Sequence, residues 1–433
     1  MRMKVNITVA LALTLAASAA RADDSAPGRE ERPQEATTRP QKDEATKEEA
    51  ATKSEVAALA EELRRLKLEM GLRDVEYDSY GGMGPAASKV YFAPKGLSIG
   101  GYGEIFYRNF LNDRPSDSDL YRIVLYTGYR FTPRILFNAE VEFEHQSELS
   151  VEFAYLDFLL SDAIGLRVGN VLVPMGFVNE LHEPPFFHGV FRPAVERNLI
   201  PTTWNENGVG VHGAKGPFRY KAYGLIGLNG ASGDLSSGSW LRGARTGGGE
   251  APAESFAGVV SVGYDAGPLA VAGAFYRGGA GQGAEDAQGE IDADVTLAEA
   301  HAQLSWRGLQ LRGLYAMGWL DDAARLSALQ DDGVVLGSRT RGGYAEVAYD
   351  VLALALPDSG HSLSPFVRYE ALDLHDEVPS GLARNPALDQ TIWTTGLTYK
   401  PIPTVVVKAD YQRSEDEADS TTEQVNLGVG YVF

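Results

Sequence analysis

The sequence predicts an all-β fold, a transmembrane antiparallel β-barrel of about sixteen strands, behind a short N-terminal helix. Three observations carry that expectation. From Leu97 to Phe433, apolar and polar residues alternate in one segment after another, the pattern of strands with one apolar and one polar face. The links between segments are alternately minimal and long, as on the two unlike rims of a membrane barrel. No later stretch is apolar for the roughly 20 residues a membrane helix needs, whereas 48 Gly, 20 Tyr and 17 Phe suit kinked strands and aromatic girdles.

In chain order, residues 1–22 read as a signal peptide. Arg2 and Lys4 precede the apolar run from Val5 to Ala17, and Ala20-Arg21-Ala22 offers a cleavage site. Its loss lowers the basic count from 39 to 36 against 59 acids, a mature charge of about −23. That surplus argues against nucleic acid as a partner. The chain has no cysteine, which excludes a disulfide framework and thiolate chemistry. Residues 23–52 hold almost no apolar side chains and several prolines, too little to bury, and read as a disordered spacer.

A helix is expected over 53–71. Thr52 and Glu55 fit a capping box, and Val56, Leu59, Leu63, Leu66 and Met70 repeat at a/d spacing before Gly71. It suits a short coiled coil, with an amphipathic helix against the barrel rim as the alternative. Residues 72–96 read as a linker, and 97–433 as the barrel.

The expected strands are 97–108, 120–131, 135–145, 149–160, 164–171, 208–215, 218–228, 255–265, 269–277, 293–306, 308–320, 340–352, 363–373, 390–400, 405–413 and 422–433. Links after even-numbered strands are mostly minimal, such as Thr132-Pro133-Arg134 and Gly216-Pro217, with 353–362 the longer one. Links after odd-numbered strands are mostly long and polar, as in 229–254 and 321–339. A soluble β-sandwich has no reason to segregate loop lengths this way.

Parity assigns the faces. In the third strand Ile135, Phe137, Ala139, Val141 and Phe143 face outward, and Asn138, Glu140, Glu142 and Glu144 inward. Tyr102, Glu104 and Arg108, then Arg122, Tyr126 and Arg130, fall inward on the first two strands, as do Arg219, Lys221, Arg312, Arg368, Glu370, Lys408 and Asp410 later. So many charges in a dry core would each cost several kcal/mol, so the expected lumen is filled with water.

The connection over 172–207 differs from the other loops in being rich in apolar side chains, among them Phe177, Phe186, Phe187, Val190, Phe191 and Trp204. Exposed, it would be a sticky patch. Folded into the barrel, it would lay its apolar side on the wall and turn Glu180, Glu183, Arg192, Glu196 and Arg197 to the channel. Glu183, Arg192, Glu196 and Arg197 are therefore the expected constriction. Glu104, Arg108, Arg122, Arg130, Glu140, Glu142, Glu144 and Arg368 are the expected pore lining.

The ending TEQVNLGVGYVF, apolar on alternate residues to Phe433, resembles the terminal strand of bacterial outer-membrane barrels. That resemblance implies recognition of Phe433 by the barrel assembly machinery. The run Val168-Gly169-Asn170, Val173-Pro174-Met175-Gly176, Arg192, Arg197 and Gly208-Val209-Gly210-Val211 is similar to the phosphate-selective porin O/P family. It implies a passive, trimeric, often anion-preferring channel in outer-membrane lipid, with the N-terminal segment periplasmic. Small hydrophilic solutes and ions would diffuse through it. The chain departs from that family in its glutamate ladder, and no dense run of inward arginines matches a phosphate ladder.

Other classes fare less well. The seven histidines include no HExxH helix, and no GxSxG elbow occurs. His182-Glu183 with His188 could ligate a metal, although two histidines in a proline-rich loop are more often structural. The reading is thus a non-enzymatic channel with no cofactor and no metal. An adhesin or scaffold working through its long loops is the alternative, and a barrel enzyme a lesser one.

Overall fold

Strands in lipid must pair every backbone N–H and C=O within the protein, and closing the sheet is their only complete solution. The computed structural model describes residues 79–433 apart from Pro94, Asp113, Asp162, Asp332, Pro357 and Asp358, together with the helical Ala58 and Glu62. The expected signal peptide and spacer, and the heptad helix but for those two residues, lie outside the described residues.

The barrel consists of β1 (Gly96–Phe110), β2 (Asp117–Thr132), β3 (Ile135–Glu144), β4 (Glu148–Leu159), β5 (Gly165–Leu172), β6 (Asn205–Lys215), β7 (Phe218–Ile226) and β8 (Phe256–Ala266). It continues with β9 (Leu269–Gly279), β10 (Asp294–Trp306), β11 (Leu309–Leu320), β12 (Arg339–Tyr349), β13 (Ser362–Glu377), β14 (Asp389–Ile402), β15 (Val405–Asp416) and β16 (Thr421–Val432). Each strand pairs antiparallel with its neighbours, and β1 pairs with β16, Tyr102 opposite Val432, so no edge is left. At the seam Gly101 and Phe433 each donate an N–H to the other's carbonyl, at 3.0 and 2.9 Å.

Turn chemistry explains the tight rim. Between β10 and β11, Arg307 and Gly308 have φ of 49° and 86°, the double positive φ of a two-residue hairpin whose twist matches the strands. The outer face carries exposed Ile105, Leu125, Phe143, Val260, Val347 and Leu427, with Phe131, Phe218, Trp306 and Phe433 at the short-turn rim. An apolar band edged by aromatics fits a membrane-facing wall.

The interior departs from the water-filled lumen expected. Inside the barrel, against β1, β2 and β3, lies a helix, α1 (Pro85–Phe92), within the expected linker. Pro85 suits a first helical position, and Ala86, Ala87, Val90 and Tyr91 are buried. The Asn138 amide donates to the Ala87 carbonyl at 2.9 Å, and Arg130 to the Tyr91 and Ala93 carbonyls at 2.6 and 2.9 Å. The Tyr91 hydroxyl donates to Asp157 at 2.7 Å, and Arg167 bridges both. Gly128 leaves the room: a Cβ there would sit 2.5 Å from that of Val90. Since Gly96 pairs with Arg130, beside the β2–β3 turn, α1 fills the short-turn half.

Candidate functional site in the lumen

Residues 173–204, between β5 and β6, fold into the barrel, and the inward charges of the wall hold them there. Loop backbone inside a barrel needs hydrogen-bond partners, and buried charges need them as badly. Each satisfies the other. Glu370 accepts from the Ala194 and Val195 amides at 2.5 and 3.4 Å, and Asp410 from the Val190 amide at 2.6 Å. Arg368 donates to the His188 and Phe191 carbonyls at 3.2 and 3.3 Å while pairing with Glu346 and Glu370. The Lys408 ammonium sits 3.5 Å over the Phe187 ring. These contacts explain why dense inward charge does not require bulk water.

The structure reassigns several residues expected to line the pore. Glu183 is buried and accepts from the Ala86 and Ala87 amides at 3.1 and 3.2 Å, meeting the positive end of α1. Glu196 is buried, holding the Val178 amide at 2.7 Å and the Tyr344 hydroxyl at 2.6 Å. Arg130 is spent on α1, and Arg368 is buried among its ion pairs. Glu140 is buried against His182, 3.0 Å away. His188 lies apart from His182, bonded to Thr398 and Gln310 at 3.0 Å each, so the metal-binding alternative of His182, Glu183 and His188 is not assembled.

Arg192 and Arg197 do reach open space. A cavity of about 490 Å³ in the long-loop half is lined by Arg122, Arg192, Arg197, Arg242 and Arg245, and by Glu142, Glu144 and Glu152. Arg122 is neutralised there, paired at 3.0 Å with each of Glu104, Glu142 and Glu144. The other four arginines are in no ion pair among the described residues. Arg242 instead donates to the Arg197 and Thr202 carbonyls, and Arg245 to the Thr203 carbonyl. Desolvation holds the Arg197 and Arg245 guanidinium groups below their ordinary range and that of Arg242 at about 10. All remain cationic at neutral pH. Arg108 pairs with Asp117 and borders a small cavity of about 80 Å³ beside Arg192 and Arg197.

The short-turn half holds a second cavity, of about 400 Å³, near Arg219, Lys221, Glu180 and Asp265. Its charges cancel pairwise: Arg219 with Asp265, Lys221 with Glu180. The two cavities therefore differ in electrical character, and only the long-loop one presents unpaired cations. Arg242, Arg245 and Glu152 were not foreseen. The arginines sit in a Gly/Ser-rich loop, and Glu152 reaches the lumen through a bulge in β4, opposite Glu140 and Val141.

No family model matches the chain. An uncharacterised protein of Aquifex aeolicus (strain VF5) is 37% identical over 387 residues, covering 86% of this chain and 87% of its own. Among solved structures, a loop-L8 deletion mutant of OmpT, an outer-membrane protein of Vibrio cholerae, matches 78% of this chain and 99% of its own at 15% identity, with a TM-score of 0.51. Salmonella typhi OmpF, in complex with daunomycin, matches 78% of this chain and 98% of its own at 14% identity, also with a TM-score of 0.51. A trimer form of in-vitro folded Vibrio cholerae OmpT matches 78% and 99% at 15% identity, with a TM-score of 0.50. At such identities the likeness shows the fold, that of an outer-membrane barrel.

Proposed function

The chain belongs to one family with the uncharacterised Aquifex aeolicus protein, and from its barrel and lumen we propose an outer-membrane porin that passes small hydrophilic solutes, anions foremost. The observation that carries this is the set of unpaired guanidinium groups, Arg192, Arg197, Arg242 and Arg245, around the long-loop cavity. Guanidinium keeps its charge and binds oxyanions bidentately. At an effective dielectric of about 20, an anion roughly 8 Å from one such charge gains about 2 kcal/mol. Glu142, Glu144 and Glu152 offset part of this and set a transverse field across the passage. Phosphate is one such anion, and the resemblance of residues 168–213 to phosphate-selective porins supports including it.

The double variant Arg192→Glu/Arg197→Glu tests the reading. In planar bilayers under a salt gradient, its reversal potential moves toward cation preference by tens of millivolts. A folded double variant with the wild-type reversal potential overturns the anion assignment. Absence of conductance by the wild type overturns the porin itself, in favour of a scaffold or an enzyme.

Assembly follows the same proposal. Outside the barrel, Leu304, Leu311, Val347, Val367 and Trp393 rim an apolar groove of about 550 Å³ floored by Ala302, Gly313 and Ala345, a surface suited to packing barrel on barrel in a trimer. A single-chain mass in mild detergent excludes that trimer. Phe433 ends the apolar face beside the seam, where barrel assembly machinery would read it. Phe433→Ser lowers the amount of folded barrel in the outer membrane, and normal membrane levels refute the role.

A further inference from the structure

Deep in the lumen, three ligating side chains from three segments converge: Glu140 of β3, Glu152 of β4 and His182 of the inward loop. They are 0%, 5% and 1% exposed. One donor atom from each lies within 4.8 Å of the other two. His182 Nε2 is 3.0 Å from Glu140 and 3.7 Å from Glu152. Tetrahedral zinc, with bonds near 2.0–2.2 Å, sets its ligands ~3.4 Å apart, between those two separations.

Hydrogen bonding sets the tautomer of the histidine. His182 Nδ1 faces the Asn179 carbonyl at 3.0 Å, and a carbonyl can only accept, so Nδ1 carries a proton. A neutral ring then points its Nε2 lone pair at two carboxylates. A second-shell carbonyl fixing the tautomer in this way is the habit of metal-bound histidine. Glu140 Oε2 and Glu152 Oε2 are buried with no hydrogen-bond partner, while Glu152 Oε1 accepts from the Thr203 hydroxyl. Glu140 faces inward by the parity of β3, whereas Glu152 sits in a bulge of β4 between Val151 and Phe153, and bulges re-aim side chains at functional positions.

Local cations do not neutralise the cluster. Arg122 is committed to Glu104, Glu142 and Glu144. Arg192 donates at 3.4 Å to the His182 carbonyl rather than to a carboxylate. Among the described residues the cavity arginines form no ion pair with Glu140 or Glu152, whose ion-pair contacts run to His182 alone. Tyr102 and Tyr126 complete the surroundings, Tyr126 with its hydroxyl 3.4 Å from His182 Nε2. Glu152 also borders the long-loop cavity, which gives an ion its way in.

We infer that Glu140, Glu152 and His182 bind one divalent transition-metal ion of the zinc class, which clamps the inward loop to the β3–β4 wall. Two carboxylates and one imidazole suit such an ion better than calcium or magnesium, which take oxygen alone. The site adjoins the arginines proposed to select solutes, through Arg192 and Glu152, but metal retention is read without reference to ion preference, so the two proposals fail separately.

The test uses the full chain folded in detergent, stripped with a chelator and titrated with zinc, with bound metal counted after gel filtration. The wild type retains one zinc per chain more than His182→Gln or Glu152→Gln, whose affinity for that ion falls at least 100-fold. Zinc also raises the temperature at which the wild-type barrel unfolds on a gel, and leaves both variants unmoved. If His182→Gln does not fold, the near-isosteric Glu152→Gln carries the comparison. Equal zinc retention by wild type and a folded variant overturns the site.

Discussion

Deleting residues 79–93 leaves a folded barrel whose single-channel conductance is at least twice that of the intact chain. α1 contributes no strand to the ladder, since β1 pairs only with β2 and β16. Closure therefore survives its loss. What goes is a helical body ~10 Å across, lying in the short-turn half of a barrel whose strand number alone would enclose an aqueous channel. Some wall groups lose partners, but Asp157 keeps Arg167 at 2.8 Å and His212 at 2.7 Å, and Arg130 keeps the Pro133 carbonyl at 2.9 Å. The deletion lowers the unfolding temperature without abolishing the fold. Bilayer recordings decide the matter: unchanged conductance from a folded deletion variant means that α1 does not obstruct the path.

The largest loss of stability from a single substitution is expected at Arg368. Its guanidinium is buried between Glu346, at 3.3 Å, and Glu370, at 2.9 Å, and supplies donors to two loop carbonyls. Arg368→Ala strands the Glu346 carboxylate and the His188 and Phe191 carbonyls in one step. Breaking a buried pair by removing one partner costs about 3–5 kcal/mol. Urea unfolding followed by the gel mobility of the folded barrel should show that loss, and bilayer current should become noisier as the loop loosens. A wild-type unfolding midpoint would mean that water already solvates the triad.

The barrel was legible because its evidence is repetitive. Alternation over segment after segment, and loops long on one rim and short on the other, do not depend on any single residue. Face assignment in β3 succeeded for the same reason, since a strand's parity is local. Features set by contact between distant segments were hidden. Glu183 and Glu196 read as charges facing a channel, because nothing near them in sequence announces the α1 amides or Tyr344. Glu152 went unassigned, because a bulge between Val151 and Phe153 breaks the alternation of β4 and the two halves of the strand give it opposite parities. α1 left a faint trace, Pro85 at a helix start with Ala86, Ala87, Val90 and Tyr91 on one side, but eight residues are too few for periodicity to speak. Arg192 and Arg197 read as lumen-facing because an apolar loop with isolated arginines has few other uses, and both border the long-loop cavity.

The inward loop also dictates an order of events. Its anchors lie far ahead in the chain: Ala194 is held by Glu370 and Val190 by Asp410, across sequence separations of 176 and 220 residues. Those carboxylates face the lumen only after β13 and β15 have taken their places. Non-local contacts of this kind form late, because loop closure must precede them. The loop after β5 must therefore wait through the pairing of most of the strands that follow it. Folding then ends with an open ring that narrows, rather than a narrow ring that opens, and during that interval the nascent barrel is a wider hole than the mature one.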